Sequence, residues 1–235
     1  MSKNNISVSI IIPCFNEVKT IKKVIYNILE MKFENLEIII VDDGSTDGSY
    51  ELLNEISKDE NIILLSHKKN YGKGYAIRTA LEKINNEIVI IQDADLEYSP
   101  KDYPTLIKPF KETDADVVYG SRFLGGAGYV RLHYYLHFIA NKILTHFCNI
   151  FTNLNMTDME TGFKVFKSEI IKSINLKENS FGIEPEITIK LAKKKFKFYE
   201  VAVSYRGRSY SQGKKITLKD AFWAVYCILR YRFFD

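Results

Sequence analysis

The stretch Ile88-Val-Ile-Ile-Gln-Asp-Ala-Asp-Leu-Glu-Tyr98 decides how this chain is read. Its apolar, β-branched opening has the pattern of a buried strand, and it ends abruptly in Asp93 and Asp95, one residue apart, followed by Glu97. In an open α/β sheet, ligands bind outside the carboxyl ends of the strands, so acidic groups delivered there point to a site. Two carboxylates this close repel unless a cation lies between them. A divalent ion such as Mg2+ accepts one or two carboxylates together with substrate phosphate oxygens. Asp is equally favoured as a helix N-cap and in turns, and the stretch by itself leaves that simpler role open.

Toward the N-terminus the same strand pattern recurs. Val8-Ser-Ile-Ile-Ile-Pro13 opens into the polar turn Cys14-Phe-Asn-Glu17, and helical spacing over 18–31 places Ile21, Val24, Ile25, Ile28 and Leu29 on one face. A second strand, Leu36 to Val41, ends in Asp42-Asp-Gly-Ser-Thr-Asp-Gly-Ser49. There Gly44 permits a tight turn and Ser45 or Thr46 can cap the next helix. A third, Ile62 to Leu65, precedes Asn70-Tyr-Gly-Lys-Gly74 and a helix from about Tyr75. Beyond Tyr98, a helix follows Pro100, and the strand Ala115 to Tyr119 ends in Gly120-Ser-Arg122. This alternation predicts an α/β fold with a mainly parallel sheet and helices on both faces.

After Gly125-Gly-Ala-Gly128 the character changes. Tyr129 to Leu154 is rich in aromatics, Leu and Ile, with Arg131, His133, His137, Lys142 and His146 interspersed, and predicts a long amphipathic helix. Asp158-Met-Glu-Thr-Gly-Phe-Lys-Val-Phe166 reads as a loop and strand, and Phe181-Gly-Ile-Glu-Pro-Glu-Ile187 as the opening of a helix. Tyr199 to Tyr205 is an alternating strand, followed by the polar loop Arg206 to Lys215. The segment from Lys219 to Phe234 is too short and too charged to span a bilayer, but suits its interface.

Composition bounds the function. With 46% hydrophobic and 26% charged residues, the 235-residue chain is an ordinary globular protein rather than a disordered or fibrous one. Cys14, Cys148 and Cys227 form no CxxC pair, which argues against a zinc site or disulfide framework and for reduced thiols. No signal-peptide core or membrane-spanning run is legible. The net charge of +4 hides an asymmetry: from Ile187 to Asp235 there are 12 Lys and Arg against 3 Asp and Glu, leaving −5 for the rest. The basic part could face an anionic surface or a phosphorylated substrate, or be a solvated helix face. Nucleic-acid binding is not expected, since the remainder is acidic and no recognised motif is present.

Taken together, Pro13-Cys-Phe-Asn-Glu17, Val41-Asp-Asp-Gly-Ser45, Asp93-Ala-Asp95 and Gly120-Ser-Arg122 resemble the family 2 inverting glycosyltransferases, with their nucleotide-sugar-binding GT-A fold. Asp158-Met-Glu-Thr-Gly-Phe-Lys164, Ile183-Glu-Pro-Glu186 and the loop from Arg206 to Lys215 narrow the likeness to the dolichol-phosphate mannosyltransferase and polyprenyl-phosphate hexosyltransferase branch.

The resemblance implies a single catalytic domain over 1–235, with residues 1–123 binding the nucleotide sugar and 124–235 facing acceptor and membrane. It implies a Mg2+ or Mn2+ ion at Asp93 and Asp95, with Glu97 standing where relatives often carry Gln. Pro13, Glu17, Lys73, Ala94, Arg208 and Lys214 (or Lys215) would contact the donor, and Asp43 its base. Arg122 and Arg131 would hold a lipid phosphate, with Asp158, Glu160, Glu184 and Glu186 orienting the basic side chains. The implied reaction moves a hexose, mannose or glucose, from a GDP-mannose or UDP-glucose type donor to a dolichyl or undecaprenyl phosphate. A phosphate monoester, already anionic, needs no general base, unlike an alcohol. The expected place is the cytoplasmic face of a membrane, reached peripherally or through a membrane-embedded partner protein. Trp223 and its aromatic neighbours could anchor there or pack in the core. Two alternatives stay open: transfer to a soluble or surface glycan hydroxyl, and a non-catalytic nucleotide-sugar-binding adaptor subunit.

Overall fold

Runs of Ile and Val with full burial form the centre of the molecule. Val8–Cys14 is β1, Leu36–Asp42 β2, Ile62–Ser66 β3, Ile88–Ile91 β4, Val117–Ser121 β5, Lys164–Lys167 β6 and Phe198–Ala202 β7. The computed structural model describes residues 6–58, 61–125, 134–208 and 218–235. The strands make one sheet in the order β3-β2-β1-β4-β6-β5-β7, parallel except for β6, which is antiparallel to both β4 and β5. The α/β architecture inferred from the alternating pattern is therefore present.

Alternate residues of each strand enter opposite cores. Ile10, Ile12, Ile38, Ile40, Ile88 and Ile90 meet Ile21, Val24, Ile25 and Ile28 of α1 (Ile21–Leu29), Leu53 of α2 (Ser49–Ile56) and Leu106 and Ile107 of α4 (Tyr103–Glu112). Ile11, Ile39, Val89 and Ile91 face Ala76, Ile77 and Ala80 of α3 (Lys73–Leu81) and the C-terminal helices. Those are α5 (Tyr135–Thr152), α6 (Ser168–Lys172), α7 (Ile183–Lys193) and α8 (Leu218–Phe233). A strand covered on both faces must be apolar at every position, which is why the strands read as continuous runs. Each fully buried Ile contributes roughly 1.5–3 kcal/mol.

The antiparallel strand has a consequence for the site. β6 pairs Val89 with Phe166 and Val118 with Val165, so its beginning lies at the carboxyl ends of β4 and β5. Residues 158–163 are thereby delivered beside Asp93 and Arg122. No local pattern in the sequence encodes that insertion.

Several boundaries differ from expectation. α1 begins at Ile21 rather than Val18, because residues 18–20 remain in a turn tied to the second loop: the Val18 N–H donates to Asp47 at 3.1 Å. β7 stops at Ala202, and Tyr205 forms an isolated bridge with Tyr98. α5 is described from Tyr135, with 126–133 outside the described residues. α8 buries Ala224, Cys227, Ile228 and Tyr231, spaced three and four apart, and exposes Phe222, Trp223, Tyr226 and Phe233. Trp223 is half-exposed rather than a core residue. All three cysteines are buried, and none is in a disulfide. Among the described residues no helix is long and apolar enough to cross a membrane.

Candidate active site

The turn after β4 is built to present its carboxylates. Gln92 is fully buried; it accepts from the Tyr103 hydroxyl at 2.8 Å and donates to the Asp93 carbonyl at 2.9 Å, fixing the point where the chain leaves the sheet. Leu96 takes the left-handed conformation, with φ of 63°, an uncommon state for a branched residue that is found where surroundings over-determine the backbone. Thr20 donates to the Ala94 carbonyl at 2.8 Å and ties the turn to the first loop. Gly162 lies directly over Asp93, where a Cβ would fall on the carboxylate oxygen and leave it no room.

Each carboxylate of the pair meets a different cation. Lys73 Nζ is 2.8 Å from Asp93 and 2.9 Å from Glu184. Burial acts to lower the lysine's pKa, but those two carboxylates outweigh it and hold it well above the ordinary value. Arg208 places Nη2 2.7 Å from Asp95 and Nη1 3.1 Å from Glu17. Despite Arg208, burial and then the charges of Asp93 and Glu97 push Asp95 up to about 7. Glu97 anchors the Tyr205–Arg208 segment, accepting the Tyr205 hydroxyl at 2.7 Å and the Arg208 N–H at 2.6 Å.

Among the described residues no three Asp, Glu, His or Cys side chains converge on one point as a metal cage. The donor set nevertheless fits Mg2+ or Mn2+. It is made of hard oxygens, and the buried Asp95 carboxylate is penalised by like charges that a divalent cation would relieve. Asp95 and Asp93 would hold the ion, with substrate oxygens completing its shell. Glu97, already shared between Tyr205 and Arg208, sits behind them.

The two adjacent acids after β2 point to different work. Asp42 accepts from the Ser45 N–H at 3.2 Å within its own turn. Asp43 accepts from the Tyr71 and Gly72 N–H groups, the latter at 2.7 Å, and meets His67 Nδ1 at 2.7 Å. It therefore organises the loop before α3 while also lining the cleft. That loop is close-packed. Gly72 has φ of 103° and lies against the Asn179 carbonyl, which leaves no space for a side chain.

On the other side of the cleft, Arg122 Nε and Nη2 each bond Asp158 at 2.7 Å in a bidentate pair. Asp158 is fully buried; desolvation would raise its pKa, but Arg122 outweighs this and holds it below the usual carboxylate range. The guanidinium also lies over the Tyr205 ring, 5.1 Å from its centroid. Glu184 joins Lys73 to the fully buried Lys164, whose ammonium also donates to the carbonyls of Met159 and Thr161 at 2.9 and 2.6 Å. Glu186 accepts the N–H groups of Lys177 and Glu178 and pairs with Lys190.

Of the site residues inferred from sequence, Pro13, Glu17, Asp43, Lys73, Asp93, Ala94, Asp95, Glu97, Arg122 and Arg208 all line one cleft of about 460 Å³. Arg131, Lys214 and Lys215 lie outside the described residues. Glu17 is a partner of Arg208; Asp158 pairs with Arg122, Glu184 with Lys73 and Lys164, and Glu186 with Lys190, whereas Glu160, expected to orient a basic side chain, bonds to none among the described residues. Tyr98, Tyr205 and Phe181 also line the cleft and were not singled out from sequence, nor was His67, which buttresses Asp43; aromatic residues and a lone histidine carry no local signal. Lys164 stood within a recognised motif, but its burial could not be read.

A mainly parallel sheet with one antiparallel insertion, and an acidic pair at the end of its central strand, are the arrangement of the GT-A fold of glycosyltransferases. The chain belongs to glycosyl transferase family 2, whose model matches residues 9–174. It is 32% identical over 226 residues to an uncharacterised protein of Methanocaldococcus jannaschii, covering 88% of this chain and 93% of that one. It is 28% identical over 215 residues to a dolichol-phosphate mannosyltransferase of Pyrococcus furiosus, covering 89% of this chain and 60% of the relative. The fold is also that of glucosyl-3-phosphoglycerate synthase from Mycobacterium tuberculosis, solved with Mn2+, UDP and glucosyl-3-phosphoglycerate. The TM-score is 0.72 at 18% identity, over 98% of this chain and 81% of that one. The same enzyme solved with Mg2+ and UDP gives a TM-score of 0.73 at 20% identity, over 98% and 80%.

Proposed function

We propose that this enzyme transfers a hexosyl group, mannosyl or glucosyl, from a nucleoside diphosphate sugar to a polyprenyl phosphate with inversion at the anomeric carbon. The observation that carries this is the Arg122–Asp158 pair, which presents a guanidinium to the same cleft as Asp93 and Asp95. A planar guanidinium fixed by a buried carboxylate suits a phosphate monoester. The donor side is assigned to residues 1–123, where Asp43 and the loop before α3 face the base, and the acceptor side to 124–235 together with Arg122.

In the reaction, a phosphate oxygen of the acceptor attacks the anomeric carbon as the bond to the nucleoside diphosphate breaks, and that electron pair leaves on the diphosphate. Asp95 and Asp93 would hold Mg2+ or Mn2+, which when bound would supply Lewis-acid neutralisation of charge on the leaving group. Arg208 and Lys73, both adjacent to the acidic pair, are placed to bind diphosphate oxygens. Arg122 holds the nucleophile against an anionic donor.

Exposed apolar residues support a membrane-facing surface. Leu136, Ile143 and Ile150 repeat every seven residues along α5, and α8 exposes Phe222, Trp223 and Phe233. The two helices meet where the Phe151 and Phe233 rings lie 5.7 Å apart. Such a surface, flanked by Lys219, Arg230 and Arg232, suits the cytoplasmic leaflet, with or without a membrane-embedded partner protein.

Transfer of radiolabel from a panel of GDP- and UDP-sugars into organic-extractable polyprenyl phosphate, with Mg2+ and with EDTA, tests the function. Metal-dependent label in the lipid phase is the expected result. Slow hydrolysis of one donor with no labelled lipid would leave the nucleotide site standing and overturn the acceptor.

A further inference from the structure

Glu160 is the exception among the carboxylates of the acceptor side. Asp158 is spent on Arg122, Glu184 on Lys73 and Lys164, and Glu200 on the N–H groups of Thr157 and Asp158. Glu160 lines the same cleft as Arg122, whose charge acts on it, yet its Oε1 is buried with no hydrogen-bond partner. An orphaned buried carboxyl oxygen costs roughly 1–3 kcal/mol, and native structures seldom keep one without a use.

The backbone around it is immobilised, so the placement is not a loose loop's accident. The Met159 N–H donates to Thr145 at 3.1 Å, the Thr161 hydroxyl to the Gly120 carbonyl at 2.5 Å, and the Gly162 N–H to the Tyr98 hydroxyl at 2.9 Å. The charged and titratable groups that face Glu160 are Glu184 of α7, Lys164 of β6, Cys148 of α5, Arg122 after β5 and Asp158 of its own loop. Lys164 bonds Glu184 and two carbonyls, and Arg122 bonds Asp158 through Nε and Nη2, so neither bonds to it.

We propose that Glu160 is an acceptor-binding residue whose protonated carboxyl donates a hydrogen bond to the phosphate monoester held by Arg122. This rests on the phosphate acceptor proposed above. The cleft already carries Asp93, Asp95, Glu97 and Glu184, and must take an anionic donor as well. An ionised Glu160 would repel the nucleophile; a protonated one gives it a second donor in addition to the guanidinium. Burial, and then the Glu184 charge, push the carboxyl up to about 7, so that the protonated form is available near neutral pH.

The test compares Glu160→Gln, which keeps a donor, with Glu160→Met, which keeps the volume and removes it. Farnesyl monophosphate is titrated into each full-length protein by calorimetry, and transfer kinetics and Tm are measured in parallel with wild type. Expected results are a Kd for the Gln variant close to wild type and a loss of about tenfold or more for the Met variant, as for one hydrogen bond to a charged group. The Met variant should also keep its donor KM and gain Tm, because a buried unpaired polar group has been removed. The same difference with 3-phosphoglycerate in place of the prenyl phosphate would support the hydrogen bond and assign the phosphate to a soluble ester. Equal Kd values in all three proteins would overturn the inference while leaving the acceptor intact. A Gln variant that binds normally but loses kcat by about 100-fold or more would overturn it in favour of a base serving a hydroxyl acceptor. If wild type neither binds nor labels any phosphate ester, the acceptor falls and this inference with it.

Discussion

Arg208 meets Asp95 through a single guanidinium nitrogen at 2.7 Å, and the same guanidinium reaches Glu17 at 3.1 Å. An internal cation thus lies on the carboxylate that a divalent ion would use. Because ion and guanidinium compete for Asp95, Arg208→Gln should bind Mn2+ more tightly in the absence of nucleotide. The expected gain is about tenfold, or about 1.4 kcal/mol, by isothermal titration. Transfer by the same variant should fall, since Arg208 also faces the donor. An unchanged Mn2+ Kd would refute the competition.

Asp95→Ala should abolish transfer without unfolding the protein. The carboxyl it removes is buried and pushed up to about 7 by burial and like charges, so little stability depends on it. Normal turnover by the folded variant would remove Asp95 from the metal site.

Arg122→Ala is a poor probe of acceptor binding, because it strands Asp158, which is fully buried. Breaking such a pair costs about 3–5 kcal/mol, and the variant should lose Tm accordingly. Arg122→Lys keeps the charge but not the fork. Its acceptor KM should rise while the donor KM holds; the opposite split would place Arg122 on the donor side.

Gly162→Ala should impair donor binding more than folding, since the new methyl group would displace the Asp93 carboxylate and with it Lys73. The comparison is donor KM against Tm. A donor KM equal to wild type would mean that Asp93 need not hold its position.

Glu160 gives a pH dependence of stability. Its folded pKa of about 7 lies above its ordinary 4.5, so between those values the folded state keeps a proton that the unfolded chain has released. Stability should therefore fall as pH rises through that window and flatten above it. Thermal melts across the window should show a shallower slope for Glu160→Gln, and identical slopes would contradict the shift.

The chain has one tryptophan, so selectively excited tryptophan emission reports on α8 alone. Trp223 is 46% exposed and donates its indole N–H to Glu178 at 2.8 Å. Vesicles containing anionic lipid should shift its emission to the blue, and Phe222→Asp should weaken that shift. No shift at saturating lipid would argue against α8 as the membrane-facing surface.

Much of the fold was legible because burial on two faces demands apolar strands, and the runs at Val8, Leu36 and Ile88 state this directly. The acids at their ends were legible for the same reason: a polar cluster that breaks an apolar run marks where the chain leaves the core. Pairings were not. That Lys73 serves Asp93 and Glu184, that Arg208 covers Asp95, and that Glu97 holds Tyr205 depend on groups up to 113 residues apart. Residue spacing carries no information at that range.

The sequence by itself determined the strand and helix order and the family, and its motifs contain the carboxylates and cations that line the cleft among the described residues, since each follows from local pattern. Tertiary structure alone decided which of them touch. Because β6 enters the sheet antiparallel, the segment from Asp158 to Phe163 arrives beside β4 and β5, with Asp158 locked on Arg122 and Glu160 left without a partner. The two acids stand two residues apart in one motif. Burial and neighbouring charge make one an anchor and leave the other in the cleft.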